Sequence, residues 1–296
     1  MDMRVTPKLV AQRSLQNLQR NLSASAHTQE ALSSGKQLSV PSDSPTGASQ
    51  VLRLRGDIRA TQQFQSNASD GLSLLTTLGS TLDGMSVTSR RVRDLTVQGM
   101  NSGSVSAEGR SAIAREVAQL YDGLLADANQ TLMGRPIFGG ATGEKTAYNR
   151  ATGLFVGDAS TPVNRRISDT NVVRVDITGP EAFGPAGNDL FAVVDRIAKD
   201  VIANPANLGA DLDALDAVMK TMQNAVADIG ARSNRIELGQ AAAVDRVLGL
   251  KARLTEVEDV DLPQAIMEQQ MQQVAYQAAL GATARVIQPS LLDFLR

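Results

Sequence analysis

From Leu208 to Val257 the apolar positions fall at alternating steps of four and three: Leu208, Leu212, Leu215, Met219, Met222, Val226, Ile229, Ser233, Ile236, Gln240, Ala243, Val247, Leu250, Leu254 and Val257. Thirteen of these fifteen are apolar, and a seam sustained this far marks a helix packed lengthwise on another helix. At 1.5 Å rise per residue the run makes a rod of roughly 75 Å. Ser233 and Gln240 sit mid-seam, where polar residues could set register or face a partner. An earlier run repeats the theme at Val51, Leu54, Ile58, Ala68, Leu72, Leu75, Leu82, Met85, Val92 and Leu95. Glycines at 56, 71, 79, 84 and 99 weaken it, because glycine lowers helix stability. "NSGSVSAEGR" (101–110) then predicts a turn, a new cap and a helix with Ile113, Val117, Leu120, Leu124 and Leu125 on one face.

Prolines mark the boundaries of these runs. None lies between Thr46 and Arg135 or between Ala206 and Leu262, whereas five of the ten fall from Pro136 to Pro205. A proline inside a helix costs roughly 3 kcal/mol, so the two long runs can be helical and the middle cannot. From about Gly134 the period changes: "GLFVGD", "NRRI" and "NVVRVDITG" are short, β-branched and bounded by turn formers, which predicts a small β-rich insert. Helical pattern returns at "NDLFAVVDRIAKDVI".

The two ends carry a third pattern. Leu15, Leu18, Leu22 and Leu32 stand at heptad positions near the start. Met267, Met271, Val274 and Ala278, followed by Leu280, Ala284, Ile287 and Leu291, do so near the finish. Between Gln264 and Gln288 only Glu268 and Arg285 are charged, against seven glutamines. A single amphipathic helix cannot cover its own stripe and is marginal alone. Both ends are therefore expected to be disordered or loosely helical in a lone monomer, ordering against each other and against neighbouring subunits.

Composition narrows the picture. The 296 residues exceed what one ordinary core needs, so two or more structural units are expected. Aromatic residues make up 3% and tryptophan is absent, which argues for helices packed side by side rather than one thick core. A net charge of −2 and the lack of a basic patch with interleaved aromatics give no sign of nucleic-acid binding. With no cysteine there is no disulfide framework or thiolate chemistry. No apolar run reaches the ~20 residues of a membrane span, and "MDMRVTPKLVAQRSLQ" lacks the apolar core of a cleaved signal.

Candidate chemistry is sparse. Gly35-Lys36 is followed by Gln37, with Glu30 five positions before Gly35, so the phosphate-loop spacing fails. In "GGATGEKT" (139–146) Glu144 separates Gly143 from Lys145 and would repel phosphate. His27 and Glu30 could share a helix face, but no other histidine or cysteine exists to complete a metal shell. Asp211, Asp213 and Asp216 form an acidic cluster in the first turns of the later helix, where carboxylates favour the positive end of the dipole. Met219, Met222, Met267 and Met271 lie on seams and read as packing residues. No cofactor, metal or catalytic residue is expected, and the chain is not read as an enzyme.

The stretch "LSSGKQLSVPSDSPTGAS" (32–49) separates the first terminal run from the first long one. Pro41 stops the preceding helix; Ser42, Asp43 and Ser44 are N-cap types; Pro45 suits the first helical position. This is a helix stop and restart. It also resembles the N-terminal signature of the flagellin superfamily, Leu-Ser-Ser-Gly-Lys/Arg followed by Pro-Ser-Asp-Asp-Pro, with Ser44 where the family commonly has Asp. "ALGATARVIQPSLLDFL" resembles that superfamily's C-terminus. "GRPIFGG" (134–140), "IGARSNRIE" (229–237) and "VDITGPEAFG" (175–184) resemble its hook–filament junction branch.

The resemblance implies a mainly α, elongated bundle of long coiled-coil-like helices with a small β-rich insert and terminal helices disordered in the monomer. Five segments follow: an inner-tube helix over 1–44, a helical rod over 45–133, a β-rich outer insert over 134–188, the rod's second part over 189–262, and a second inner-tube helix over 263–296. The tube interface is expected at Leu15, Leu18, Leu22, Leu32, Met267, Met271, Val274, Leu280, Ile287, Leu291, Leu292 and Phe294. Pro41, Ser42, Asp43, Ser44 and Pro45 form the joint. Implied partners are the first hook-associated protein, flagellin, further copies of the chain, and an export chaperone holding the C-terminal helix, with no nucleic acid or membrane. Such proteins are secreted through the flagellar channel without a cleaved signal peptide and reside in the extracellular flagellum; the filament subunit itself, flagellin, is the alternative reading.

Overall fold

The computed structural model describes residues 7–101 and 106–292, with side chains described for 12–101 and 106–284. Among the described residues are seven α-helices: α1 (Pro7–Ser34), α2 (Pro45–Met100), α3 (Ala107–Ala128), α4 (Gly179–Phe183), α5 (Leu190–Ala203), α6 (Leu208–Glu258) and α7 (Leu262–Leu292). Four short strands, β1 (Thr131–Leu132), β2 (Arg135–Pro136), β3 (Asn164–Arg166) and β4 (Val172–Arg174), form two antiparallel pairs, β1 with β2 and β3 with β4. The helix boundaries fall where capping chemistry puts them. Ser106 Oγ accepts the Gly109 amide at 3.1 Å to start α3, and Asp189 accepts the Ala192 amide at 2.9 Å to start α5. The chain forms two compact units, residues 1–60 with 247–296, and residues 61–246.

In the second unit α2 and α6 run antiparallel. The Gly71 position lies against Ile236, Gly79 against Ile229 and Gly99 against Leu208, and Arg93 pairs with Asp216 at 2.7 Å. All fifteen positions of the α6 seam are buried or half-buried, as the heptad spacing predicts. Leu75, Leu78, Leu82 and Met85 of α2 are fully sealed, as are Leu215 and Met222 of α6. Each such side chain contributes about 1.5–3 kcal/mol by leaving water. The α2 face also buries Thr81, Ser89 and Thr96. Their hydroxyls are satisfied by the carbonyl four residues back, at 2.8 to 2.9 Å.

The insert is small and its strands are two or three residues long. Its cohesion comes from aromatic rings. Tyr148 lies 4.5 Å from Phe191, 5.4 Å from Phe155 and 5.9 Å from Phe183 between ring centroids, and Phe138 lies 4.9 Å from Phe183. Tyr121 of α3 meets Phe191 edge-on at 6.3 Å. The sparse aromatics of this chain are thus concentrated where short strands provide little packing area. Gly140 bridges to Asp158 with φ 67°. A side chain there would strike the Asp158 carbonyl, which accounts for the final glycine of "GRPIFGG".

Candidate functional site

The break between α1 and α2 is a folded joint. Helix α1 ends at Ser34, and Gly35 follows with φ 71°, a left-handed conformation that glycine adopts freely. Asp43 does not cap α2. Its Oδ2 instead accepts the amides of Val40 at 3.0 Å and Ser39 at 3.2 Å, closing the loop on itself. The Val40 amide above all, with Ser39, holds the Asp43 carboxyl below the usual carboxylate range. The cap falls to Ser44, whose Oγ accepts the Gly47 amide at 3.1 Å, with Pro45 as the first helical residue. Pro41 and Ser42 lie exposed in the turn.

The second half of the joint is the α6–α7 corner. The Gln37 amide donates to the Glu258 carbonyl at 2.8 Å, and the Val260 amide donates to the Gly35 carbonyl at 3.1 Å. The buried Glu258 carboxylate receives Arg55 at 2.6 Å and also pairs with Lys36. Burial alone would raise its pKa, but the two cations outweigh this and hold it low. Lys36 is therefore occupied by a carboxylate rather than directed at phosphate. Asp261 Oδ1 accepts the Gln264 amide at 3.2 Å and starts α7.

Beyond the joint, α1 packs along α7, and the seam between them is not the apolar one. Among the described side chains the covered positions of α1 are Ser14, Leu18, Asn21, Ser25, Thr28, Ala31 and Leu32; those of α7 are Ala265, Gln269, Gln272, Tyr276, Ala279 and Thr283. Both sets keep the 4,3 spacing but are mostly small or amide residues. The Oε1 atoms of Gln269 and Gln272 are buried without a hydrogen-bond partner. The apolar stripe points elsewhere: Leu15, Leu22, Met267, Met271, Val274 and Leu280 are 45 to 67% exposed.

Of the residues singled out from sequence, then, Leu18 and Leu32 lie in the α1–α7 seam, and those six form an uncovered surface. Ile287, Leu291 and Leu292 lie in α7 beyond the described side chains, and Phe294 lies outside the described residues. His27 is exposed on α1. The acidic cluster at the start of α6 is divided: Asp211 is buried and pairs with Arg196 at 2.6 Å, Asp216 pairs with Arg93, and Asp213 faces water. Cross-helix ion pairs therefore hold two of the three, beyond any dipole effect. Among the described residues no group of three or more histidines and carboxylates could hold a metal ion. No helix among them is long and apolar enough to cross a membrane.

Sequence reasoning missed Glu258, which follows the last seam residue and reads as a solvated helix end. It also missed the covered seam of α7. The signal was there, in the heptad phase of Ala265, Gln269, Gln272, Tyr276 and Ala279, offset by two positions from Met267 and by one from Met271.

Comparison with known proteins bears on this surface. Residues 5–140 match the bacterial flagellin N-terminal helical region, and residues 212–295 match the bacterial flagellin C-terminal helical region. The chain is 27% identical to flagellin of Bacillus subtilis (strain 168), over 99% of this chain and 100% of that one. It is 25% identical to flagellar hook-associated protein 3 of Escherichia coli (strain K12), over 95% of this chain and 96% of that one. Among solved structures it resembles Bacillus cereus FlgL with a TM-score of 0.60 at 21% identity, covering 69% of this chain and 99% of that one. It also resembles flagellar hook-associated protein 3 of Legionella pneumophila with a TM-score of 0.62 at 16% identity, covering 70% and 98%. These structural likenesses concern the fold.

Proposed function

Because the chain belongs to the bacterial flagellin family, we propose that it is a structural subunit of the flagellar axis that adapts hook to filament at their junction. The observation that carries this reading is the exposed apolar stripe of the terminal pair: Leu15, Leu22, Met267, Met271, Val274 and Leu280. Soluble monomers rarely leave such a stripe open, and one that persists marks a surface awaiting a partner. Neighbouring copies cover it, with Leu18, Leu32 and the C-terminal apolar residues Ile287, Leu291, Leu292 and Phe294 extending the same inner-tube packing. The terminal helices order fully only there, because the α1–α7 seam is too polar to hold the pair alone. The same weakness keeps the ends pliable for passage through the export channel, with a chaperone on the C-terminal helix beforehand.

The chain acts without catalysis, binding the first hook-associated protein on the hook side and receiving flagellin on the filament side. Support for the junction comes from the hook-associated protein 3 relatives, which align along nearly their whole length. A filament subunit is the second reading, favoured by the full-length alignment with B. subtilis flagellin. Purified chain added to sheared filament seeds separates the two. A junction protein adds at most a short cap, whereas micrometre-long filaments grown from this chain alone would establish the filament subunit instead.

A further inference from the structure

The β1–β2 hairpin closes through the two-residue loop Met133-Gly134, with Leu132 paired to Arg135 and Thr131 to Pro136. Met133 has φ 51° and Gly134 φ 78°. Positive φ at both loop positions is the type I′ turn of tight hairpins, whose first position suits asparagine, aspartate or glycine. Met133 is the one non-glycine residue with positive φ among the described residues. A left-handed backbone is unfavourable for a long side chain that makes no local hydrogen bond to offset it. Met133 gains no packing in return. It is 85% exposed, more than any other large apolar side chain among the described residues.

The hairpin is held firmly at its base. Ile137 and Phe138, which follow β2, are buried, and Leu132 packs against the core. The Gln130 side-chain amide meets the Thr81 hydroxyl of α2 at 2.6 Å, and the Ile137 amide donates to the Gln130 carbonyl at 3.0 Å. A fixed base thus carries a strained backbone and an apolar side chain out into water. Two positions on from Met133, Arg135 is exposed, and its guanidinium has no hydrogen-bond or ion-pair partner among the described residues.

We propose that this hairpin tip is a docking knob: Met133 enters an apolar socket on a folded protein partner, and Arg135 pairs with a carboxylate at the socket's rim. Methionine and arginine are both enriched at protein interfaces over the rest of the surface, and a flexible thioether adapts to an irregular socket. The strain of the turn is offset when the side chain leaves water on docking. The unpaired guanidinium selects a partner of negative charge and fixes its register. The partner is a neighbouring subunit of the flagellar axis, so the inference rests on the function proposed above.

Hydrogen peroxide tests the burial of Met133, because it converts an accessible thioether to the sulfoxide. The purified chain and sheared flagella that carry it are treated side by side, and the peptide containing Met133 is followed by mass spectrometry. The contact predicts oxidation about tenfold slower in flagella than in the free chain. Equal rates, with the chain present in the flagella, would overturn it while leaving the axial function standing. Met133→Asn relieves the turn, so the thermal midpoint of the purified chain should rise by roughly 2 °C. Its recovery in sheared flagella should nevertheless fall about tenfold. Arg135→Glu should leave the midpoint unchanged and lower recovery as far, with Arg135→Lys restoring most of it. Met133→Asn recovered at the level of the unsubstituted chain would likewise overturn the contact. Absence of the unsubstituted chain from flagella would instead overturn the axial function, and this contact with it.

Discussion

Arg55 donates to Glu258 at 2.6 Å across 203 positions of sequence. That one bond ties the first turns of α2 to the last turn of α6. With Lys36 on the same carboxylate, it joins the helix break after α1 to the helix break before α7. The two interruptions of the rod are one structure.

Replacing Glu258 with Gln removes the charge while keeping the shape. Hydrogen bonds to charged groups contribute about 1–3 kcal/mol, so the joint should loosen by that order. The amides of Gln37 and Val260 should exchange with solvent correspondingly faster. The pH dependence follows from the depressed pKa of Glu258. The ion pairs contribute in full above the ordinary carboxylate value of about 4.3 and are lost as pH falls through the lower folded value. Acid should therefore lower the protection of the Gln37 and Val260 amides, measured as exchange relative to the intrinsic rate at each pH, and the Glu258→Gln variant should show a much weaker response.

Leu22 and Met271 are exposed in the described fold. Leu22→Asp or Met271→Asp should change monomer stability by no more than about 0.5 kcal/mol, read as an unchanged thermal midpoint. Either should sharply reduce the amount of chain recovered in sheared flagella. A matching loss of monomer stability would mean that these side chains pack within one copy.

Ile229 is buried in α6 against the Gly79 position of α2. Ile229→Asp places an unpaired charge in that seam, which should cost on the order of 3 kcal/mol or more. Thermal unfolding followed by circular dichroism should show the main transition lowered by many degrees or lost.

Gly140→Ala should destabilise the insert by about 2 kcal/mol or more. It combines a left-handed backbone that alanine disfavours with a collision against the Asp158 carbonyl. Near-ultraviolet dichroism of the Tyr148 cluster reports it, since those rings pack beside the bridge.

How much of this was legible depended on whether burial and hydrophobicity coincide. Along α6 they largely do: heptad counting found fifteen covered positions, though not the buried Asp211, Val218, Ala225 and Glu258. Along α2 they part at Thr81, Ser89 and Thr96, which are buried because each hydroxyl bonds within its own helix; a count of apolar letters passes over them. At the termini they are opposed. The stripe of Leu15, Met267, Met271 and Val274 was plain in the sequence, but not that α1 and α7 would meet through Thr28, Ala265 and Gln272 instead. The joint was readable as a break from its prolines and caps. That it closes on Glu258 was not, because no local pattern announces a partner 203 positions away. Strands β3 and β4 were foreseen in "NRRI" and "NVVRVDITG", whereas β1 and β2 were not and "GLFVGD" forms only isolated bridges at Phe155 and Asp158; the gathering of Phe138, Tyr148, Phe183 and Phe191 depends on tertiary placement.

The central claim is tested most directly by locating this chain in intact flagella, by gold-labelled antibody in electron micrographs. A junction protein should label a single narrow band at the boundary between hook and filament. Label spread along the length of the filament would contradict the account and make the chain a filament subunit.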